Sequence, residues 1–343
     1  MEYPKFKVTV SCMTYNQSKY ITDAMNGFTM QQTDFPFVCT IVDDASTDGE
    51  QEVIRKYVEE NFDFSEGSAA FNKETDYAFI TYAQHKTNKN CYFAVLYLKE
   101  NHYSQKKDKS PYLKEWRDGV EYMAICEGDD YWIVPDKLQV QYDILEHNPN
   151  YSFVYTGFNV VNQEGVILEG HKFEKRMESS YSGNNYFNLL VNMNYIMTLT
   201  TFFRIDAIYI KPGVYDYGIF LNASRLGYAY YLPNRTSNYR INPNSIMNTC
   251  PEILRPLMYN IILEEIKQSL KGESISPLIC KDKEFKTVVG YVLARNIYHS
   301  TMRKEFVKVA VVNPSIWPWI IKGLIIKITN EKSFRESFKT SKR

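Results

Sequence analysis

Nothing in this chain reads as a membrane span, a zinc site, a glycine-rich phosphate loop or a general nucleic-acid-binding surface, and each absence removes a class of function. No uninterrupted apolar run reaches the roughly twenty residues that cross a bilayer. The nearest, 307–328, is broken by Pro314, Pro318, Lys322 and Lys327. The six cysteines stand singly at 12, 39, 91, 126, 250 and 280, with no CxxC pair and no histidine at ligand spacing, which excludes a zinc module. Three of them sit inside apolar runs, as small buried hydrophobes of a reducing compartment do. Basic and acidic residues are equal at 40 each, so the chain lacks the electrostatic footprint of a general nucleic-acid binder, and no nucleic-acid partner is expected. The first loop, SCMTYNQSKY, has no glycine, which excludes a dinucleotide-binding fingerprint and the triphosphate loop of a nucleotidyltransferase. The N-terminus enters a strand without a charged-then-apolar leader, so the expected location is cytoplasmic.

What is present is an alternation. The run FKVTVSCM is apolar and β-branched, and SKYITDAMNGFTMQ has helical spacing at Ile21, Ala24, Met25 and Phe28 behind a serine cap at Ser18. A second buried strand, FPFVCTIVDD, precedes a loop and another helix. Residues 61–118 are the least regular. A third strand, VEYMAICEGDD, leads to a helix starting at Pro135 or Asp136. Strand, helix, strand with short links predicts an α/β fold with a mostly parallel, Rossmann-like sheet flanked by helices. Ligands of such sheets bind at the carboxyl ends of the strands. Beyond about residue 250 the pattern turns helical, so 1–250 is expected to be the catalytic unit and 251–343 a helical region for acceptor, oligomer or membrane-surface contact.

Carboxylates gather at these strand ends: Asp43 and Asp44 after the second, then Glu127, Asp129 and Asp130 after the third. Like charges at one rim repel unless a cation sits among them. Hard oxygen donors without histidine or cysteine suit Mg²⁺ or Mn²⁺ rather than zinc. A solvated acidic turn is the plainer alternative for EGDD.

The ordered set VTVSCMTYNQSKYI, TIVDDASTDGE and ICEGDDYWIVPDKLQ resembles the family 2 glycosyltransferases, whose catalytic domain has the GT-A fold. The resemblance covers about residues 6–140 and continues more weakly to about 247. It implies an inverting, nucleotide-sugar-dependent transferase that moves a sugar from a nucleoside diphosphate, with UDP-sugars favoured, to a hydroxyl of a saccharide or lipid-linked saccharide, as in polysaccharide or glycolipid assembly. On this resemblance Thr14, Tyr15 and Asn16 lie in the donor-binding loop, with the Tyr15 ring stacking on the base. Asp44, with Asp43 as the second candidate, matches the acid that hydrogen-bonds base or ribose, and Asp129 meets the donor. Glu127, Asp129 and Asp130 match the metal motif, with Glu in place of its first Asp. Asp216, in VYDYGIFLNASRLG, matches the general base, although capping the following helix would equally suit it. Arg240, in SNYRINPNSIMN, matches the diphosphate-binding arginine, and Asn242 stands where the family has histidine.

A non-catalytic sugar-nucleotide-binding or scaffold subunit is the competing reading, suggested by Asn242 and opposed by the acids at 129, 130 and 216. The tail 315–343, with its tryptophans, aliphatics and lysines, fits either packing on the catalytic domain, which is favoured, or peripheral contact with the inner membrane face. A homodimer contact is a further use for it.

Overall fold

A computed structural model describes residues 4–192, 196–208, 216–243, 251–270, 282–299 and 303–337. Cys250, Cys280, residues 244–247 of the segment after Arg240, and the basic tail from 338 on lie outside them. The elements run β1 (Val8–Thr14), α1 (Ile21–Thr29), β2 (Phe37–Asp43), α2 (Glu50–Asn61), β3 (Phe62–Asp63), β4 (Phe71–Glu74), β5 (Ala78–His85) and β6 (Cys91–Leu98). Then come α3 (Lys114–Arg117), β7 (Tyr122–Ile125), β8 (Tyr131–Trp132), α4 (Lys137–His147), β9 (Tyr151–Val161), α5 (Tyr186–Asn192), β10 (Phe202–Arg204), α6 (Asp216–Leu226) and β11 (Tyr228–Arg240). Five helices follow: α7 (Pro251–Leu270), α8 (Asp282–His299), α9 (Arg303–Val312), α10 (Trp317–Thr329) and α11 (Glu331–Glu336).

One sheet orders the strands β3-β5-β6-β2-β1-β7-β10-β9-β11-β8, with β4 on the outside of β5. Its centre, β6-β2-β1-β7, is parallel, as the alternation predicts. Antiparallel strands extend it on both sides: β5 beside β6, and β10 beside β7. Every residue of β2 is buried, because helices and loops cover both faces, and a strand buried twice over must be an unbroken apolar run. Register aligns the strand ends, pairing Thr14 with Asp43 and Asp43 with Tyr97.

Two local expectations are corrected. Residues 61–118 are not mostly irregular, since they hold the β5–β6 hairpin and its central parallel strand. Ser18 is not the cap of α1: the helix starts three residues later without a side-chain cap, and the Ser18 N–H instead reaches Asp48 Oδ2 at 3.0 Å.

The C-terminal helices do not stand apart. Leu189 and Phe220 of α5 and α6 share one apolar cluster with Ile262, Val289, Phe306 and Ile320 of the C-terminal helices. Tyr186 Oη donates to Glu265 at 2.7 Å, and Arg295 donates to the Val191 carbonyl at 2.8 Å.

Lys137, the first residue of α4, is 1 % exposed. Its ammonium has Gln141 Oε1 at 2.5 Å and the Trp132 ring at 4.7 Å, with no carboxylate in ion-pair range among the described residues. Burial pushes it down to about 7. The unfolded chain holds that proton to about 10.4, so stability rises with pH between the two values and the full cost of the buried charge falls below pH 7. Lys137→Met is therefore expected to stabilise by on the order of a few kcal/mol below pH 7, by a margin that shrinks as pH rises from 7 towards 10. Denaturant titrations across that range would show it, and a pH-independent difference would contradict it.

Candidate active site

The ends of β1, β2 and β7 meet at a crossing that only glycine permits. The Cys126 N–H donates to the Ser11 carbonyl at 3.1 Å and the Gly128 N–H to the Met13 carbonyl at 3.2 Å, which lays the EGDD segment along β1. A Cβ on Gly128 would stand 2.3 Å from Thr14 Oγ1 and 2.8 Å from Thr14 Cβ.

Beneath this crossing lies Glu50, fully buried at the start of α2. Its carboxylate receives the Thr14 hydroxyl, the Gln17 N–H at 2.9 Å and the Ser46 hydroxyl at 2.8 Å. Sequence reasoning missed it. Its only signal, Thr47-Asp48-Gly49-Glu50, has the spacing of a capping box and reads as structure. Asn16 and Ala45 adopt left-handed φ values of 53° and 61°, conformations that non-glycine residues hold only when their surroundings impose them. The Asn16 side chain accepts the Thr47 N–H at 2.8 Å, so Asn16 braces two loops together. Beside it, Tyr15 is 46 % exposed and its ring is open to stack on a ligand.

The paired aspartates after β2 divide. Asp44 is filled: Oδ1 accepts the His102 N–H at 2.9 Å, and Oδ2 accepts the Tyr103 N–H at 3.0 Å and Lys109 at 2.9 Å. It holds the 101–109 loop. Asp43 is equally buried and uses one oxygen, Oδ1, for the Ser46 N–H at 3.1 Å and Gln51 at 2.6 Å, while Oδ2 has no partner among the described residues. Burial raises its carboxyl above the ordinary range. An orphaned buried acceptor at a strand end awaits a donor, and an N–H of a base or a ribose hydroxyl would supply one.

The acids after β7 form a second group. Asp130 is buried and accepts the Arg240 N–H at 2.8 Å. Asp129 and Glu127 are half-buried, taking the Asn242 amide at 3.2 Å and the Thr198 hydroxyl at 2.9 Å. Asp216 opens α6 and is exposed. The surrounding protein nonetheless raises all four carboxyls. Burial and then the charge of Asp216 push Glu127 up to about 8, so Asp216 lies within electrostatic reach of Glu127 from about ninety residues along the chain.

Arg240, expected to meet a diphosphate, is 3 % exposed with a protein partner on each guanidinium nitrogen: Nε with the Asp129 carbonyl at 2.9 Å, Nη1 with the Gln163 carbonyl at 2.6 Å, and Nη2 with Asp23 at 2.6 Å. Tyr20 and Tyr131 sandwich it at 4.7 and 5.0 Å. It fastens β11 to α1 and to the EGDD loop. A second basic group, Arg176, which the sequence did not single out, lies within electrostatic reach of Asp216. It lies over Phe173 at 4.6 Å with Nη1 3.0 Å from Met197 Sδ, and it pulls the Asp216 carboxyl down against burial. Its stretch, HKFEKRMESS, shows no motif.

No group of three His, Cys, Asp or Glu side chains is drawn together tightly enough to hold a metal ion among the described residues, so the expected set Glu127, Asp129 and Asp130 is not gathered as a ligand cage. The chemistry of the donors still fits a hard divalent cation, because the neighbouring carboxylate charges that raise Glu127 and Asp130 are offset when one binds. A separate groove of about 400 Å³, lined by Arg55, Phe79, Thr81 and Tyr97 among others, lies towards β4 and β5 and contains none of these acids.

No protein-family model matches the chain. Uncharacterised proteins of Mycobacterium tuberculosis and Mycobacterium bovis are 28 % identical to it over 159 residues, 46 % of this chain and 37 % of theirs. The chain thus matches well under half the length of these relatives. Among solved structures, S. aureus TarS 1–349 in complex with UDP-GlcNAc superposes with a TM-score of 0.54 at 15 % identity, over 97 % of this chain and 92 % of that one. The mannosyltransferase PcManGT from Pyrobaculum calidifontis, in complex with GDP-Man and Mn²⁺, gives 0.52 at 13 % identity over 98 % and 87 %. At such identities the likeness shows the fold alone: this chain has the α/β fold of the GT-A glycosyltransferases, with C-terminal helices packed on it.

Proposed function

We propose that the protein is an inverting glycosyltransferase that takes a sugar from a nucleoside diphosphate sugar, a UDP-sugar by preference, to a hydroxyl of a saccharide or lipid-linked saccharide. The observation that carries this reading is the convergence, at one rim of the sheet, of an orphaned Asp43 oxygen with the acids Glu127, Asp129 and Asp216. Two jobs are thereby separated in space. Asp43 and the open Tyr15 ring take the base end of the donor, and the second group handles charge at the reacting end. TarS 1–349 with UDP-GlcNAc and PcManGT with GDP-Man and Mn²⁺ support a donor of this class.

Asp216 is the general base. It is open to solvent on one side, stands at a helix start, and has no neutralising ion pair among the described residues. A raised carboxyl accepts a proton more readily, and the attacking hydroxyl must lose one as it reaches the anomeric carbon. Arg176 limits that rise. Asp129, with Glu127, would hold Mn²⁺ or Mg²⁺, which would supply further stabilisation of the leaving group. Asp130 and Arg240 keep those acids in place.

Calorimetric titration with UDP, GDP and dTDP, with and without Mn²⁺, tests the reading. UDP is expected to bind, and Asp43→Ala to weaken it roughly 10- to 100-fold, the effect of removing one charged hydrogen bond. Asp129→Asn should remove the Mn²⁺ dependence and leave metal-free binding intact. No binding of any nucleotide by the intact protein would sink the proposal.

A further inference from the structure

We propose that the outer face of the C-terminal helices is a docking surface for an anionic lipid bilayer. The rotation of α10 is set from inside. Gly323 lies against Gly290 of α8 so closely that a Cβ on it would meet the Gly290 carbonyl carbon and oxygen and the Tyr291 Cα at 2.6 Å. A Cβ on Gly290 would meet the Trp319 carbonyl oxygen at 2.2 Å. The two helices therefore cross in backbone contact, with Ile320 buried beside the crossing. The Tyr291 hydroxyl donates to Glu331 at 2.8 Å, which secures the far end through α11.

Opposite that crossing, Trp317, Ile321, Ile325 and Ile328 follow one another at helical spacing and are 46, 56, 56 and 81 % exposed. On α9, Val311 and Val312 are 59 and 73 % exposed beside the exposed Lys304 and Lys308. A rigidly held isoleucine stripe left in water is a marker of an interaction surface rather than of chance exposure.

Charge identifies the occupant. The last 41 residues, 303–343, carry ten of the 40 basic residues and three of the 40 acidic ones, so this end is positive and the remaining chain is negative by the same amount. An anionic bilayer accommodates both features. The isoleucines and Trp317 enter the headgroup boundary, the lysines reach lipid phosphates, and the acidic body is held outwards. A two-fold dimer through this face would set the basic surface against its own copy. At 13 residues α10 is about 20 Å long, short of the roughly 30 Å hydrocarbon thickness, and no single described helix is long and apolar enough to cross a membrane. α9 and α10 together have the length and composition of a span but are bent by 100° at the break between them, and the proposal lays α10 along the surface.

Sedimentation of the full chain with vesicles tests this independently of the donor site. Wild type is expected to pellet with phosphatidylcholine–phosphatidylglycerol vesicles at low salt and to be released as salt is raised. The triple variant Ile321→Ser, Ile325→Ser, Ile328→Ser should partition about tenfold less or weaker still, with an unchanged melting temperature and unchanged UDP binding. Equal binding to phosphatidylcholine alone, or equal binding by the triple variant, would overturn the proposal. So would a wild-type dimer that the same serines convert to monomer, since that face would then be an interface between copies.

Discussion

Gly128→Ala is expected to cost about 1–3 kcal/mol of stability and to abolish nucleotide binding in the same stroke. The added Cβ would lie 2.6 Å from Gln17 Oε1, 2.3 Å from Thr14 Oγ1 and 2.8 Å from Thr14 Cβ. Gln17 can turn away. Thr14 cannot, because β1 is pinned between β2 and β7 and the Thr14 hydroxyl is held by the buried Glu50. The EGDD segment must then lift off β1, which separates Glu127 and Asp129 from the loop carrying Tyr15. Denaturant unfolding and UDP titration on the same sample would check this. A variant of native stability that still binds UDP would show that the crossing tolerates a methyl group.

Asp216→Asn is expected to lower sugar transfer by about 10²- to 10⁴-fold, the usual contribution of a general base, while UDP affinity stays close to that of the parent. Release of UDP from a UDP-sugar in the presence of acceptors measures the first, and calorimetry the second. The same change has a second readout. Glu127 titrates near 8 in the folded, ligand-free protein, against about 4.3 in the unfolded chain. The native state therefore binds the extra proton across that interval, and its stability falls as pH rises through it. Asp216 contributes to that elevation by its charge, so Asp216→Asn should bring Glu127 down and flatten the fall. A variant with full transfer activity would return Asp216 to the role of a helix-capping residue, and an unaltered pH dependence would separate it from Glu127.

The uneven legibility of the site has a physical pattern. The strands β1, β2 and β7 are legible because each is buried on both faces, and burial on both faces demands an unbroken apolar run that ends abruptly in polar residues. The acids at those ends are legible for the same reason. β5 and β6 are not, since their pairing depends on a hairpin whose partners carry no alternation. Asp43 and Asp44 are chemically identical in sequence, and only the arrival of the 101–109 loop fills Asp44 and leaves an oxygen of Asp43 orphaned.

The arginines show the same limit. Arg240 lies in a recognisable segment yet is buried among Asp23, Gln163 and two tyrosine rings, while Arg176, in a stretch without pattern, is brought within electrostatic reach of Asp216. By itself the sequence determined the strands β1, β2 and β7, the helices that follow β1 and β2, and the rim at which polar residues collect, because these follow from local periodicity and from where apolar runs stop. Which oxygen is free, which guanidinium is available, and which side of α10 is left in water were decided by tertiary structure alone. Each depends on a partner brought from far along the chain, and a side chain's spare hydrogen-bonding capacity exists only after its neighbours have arrived.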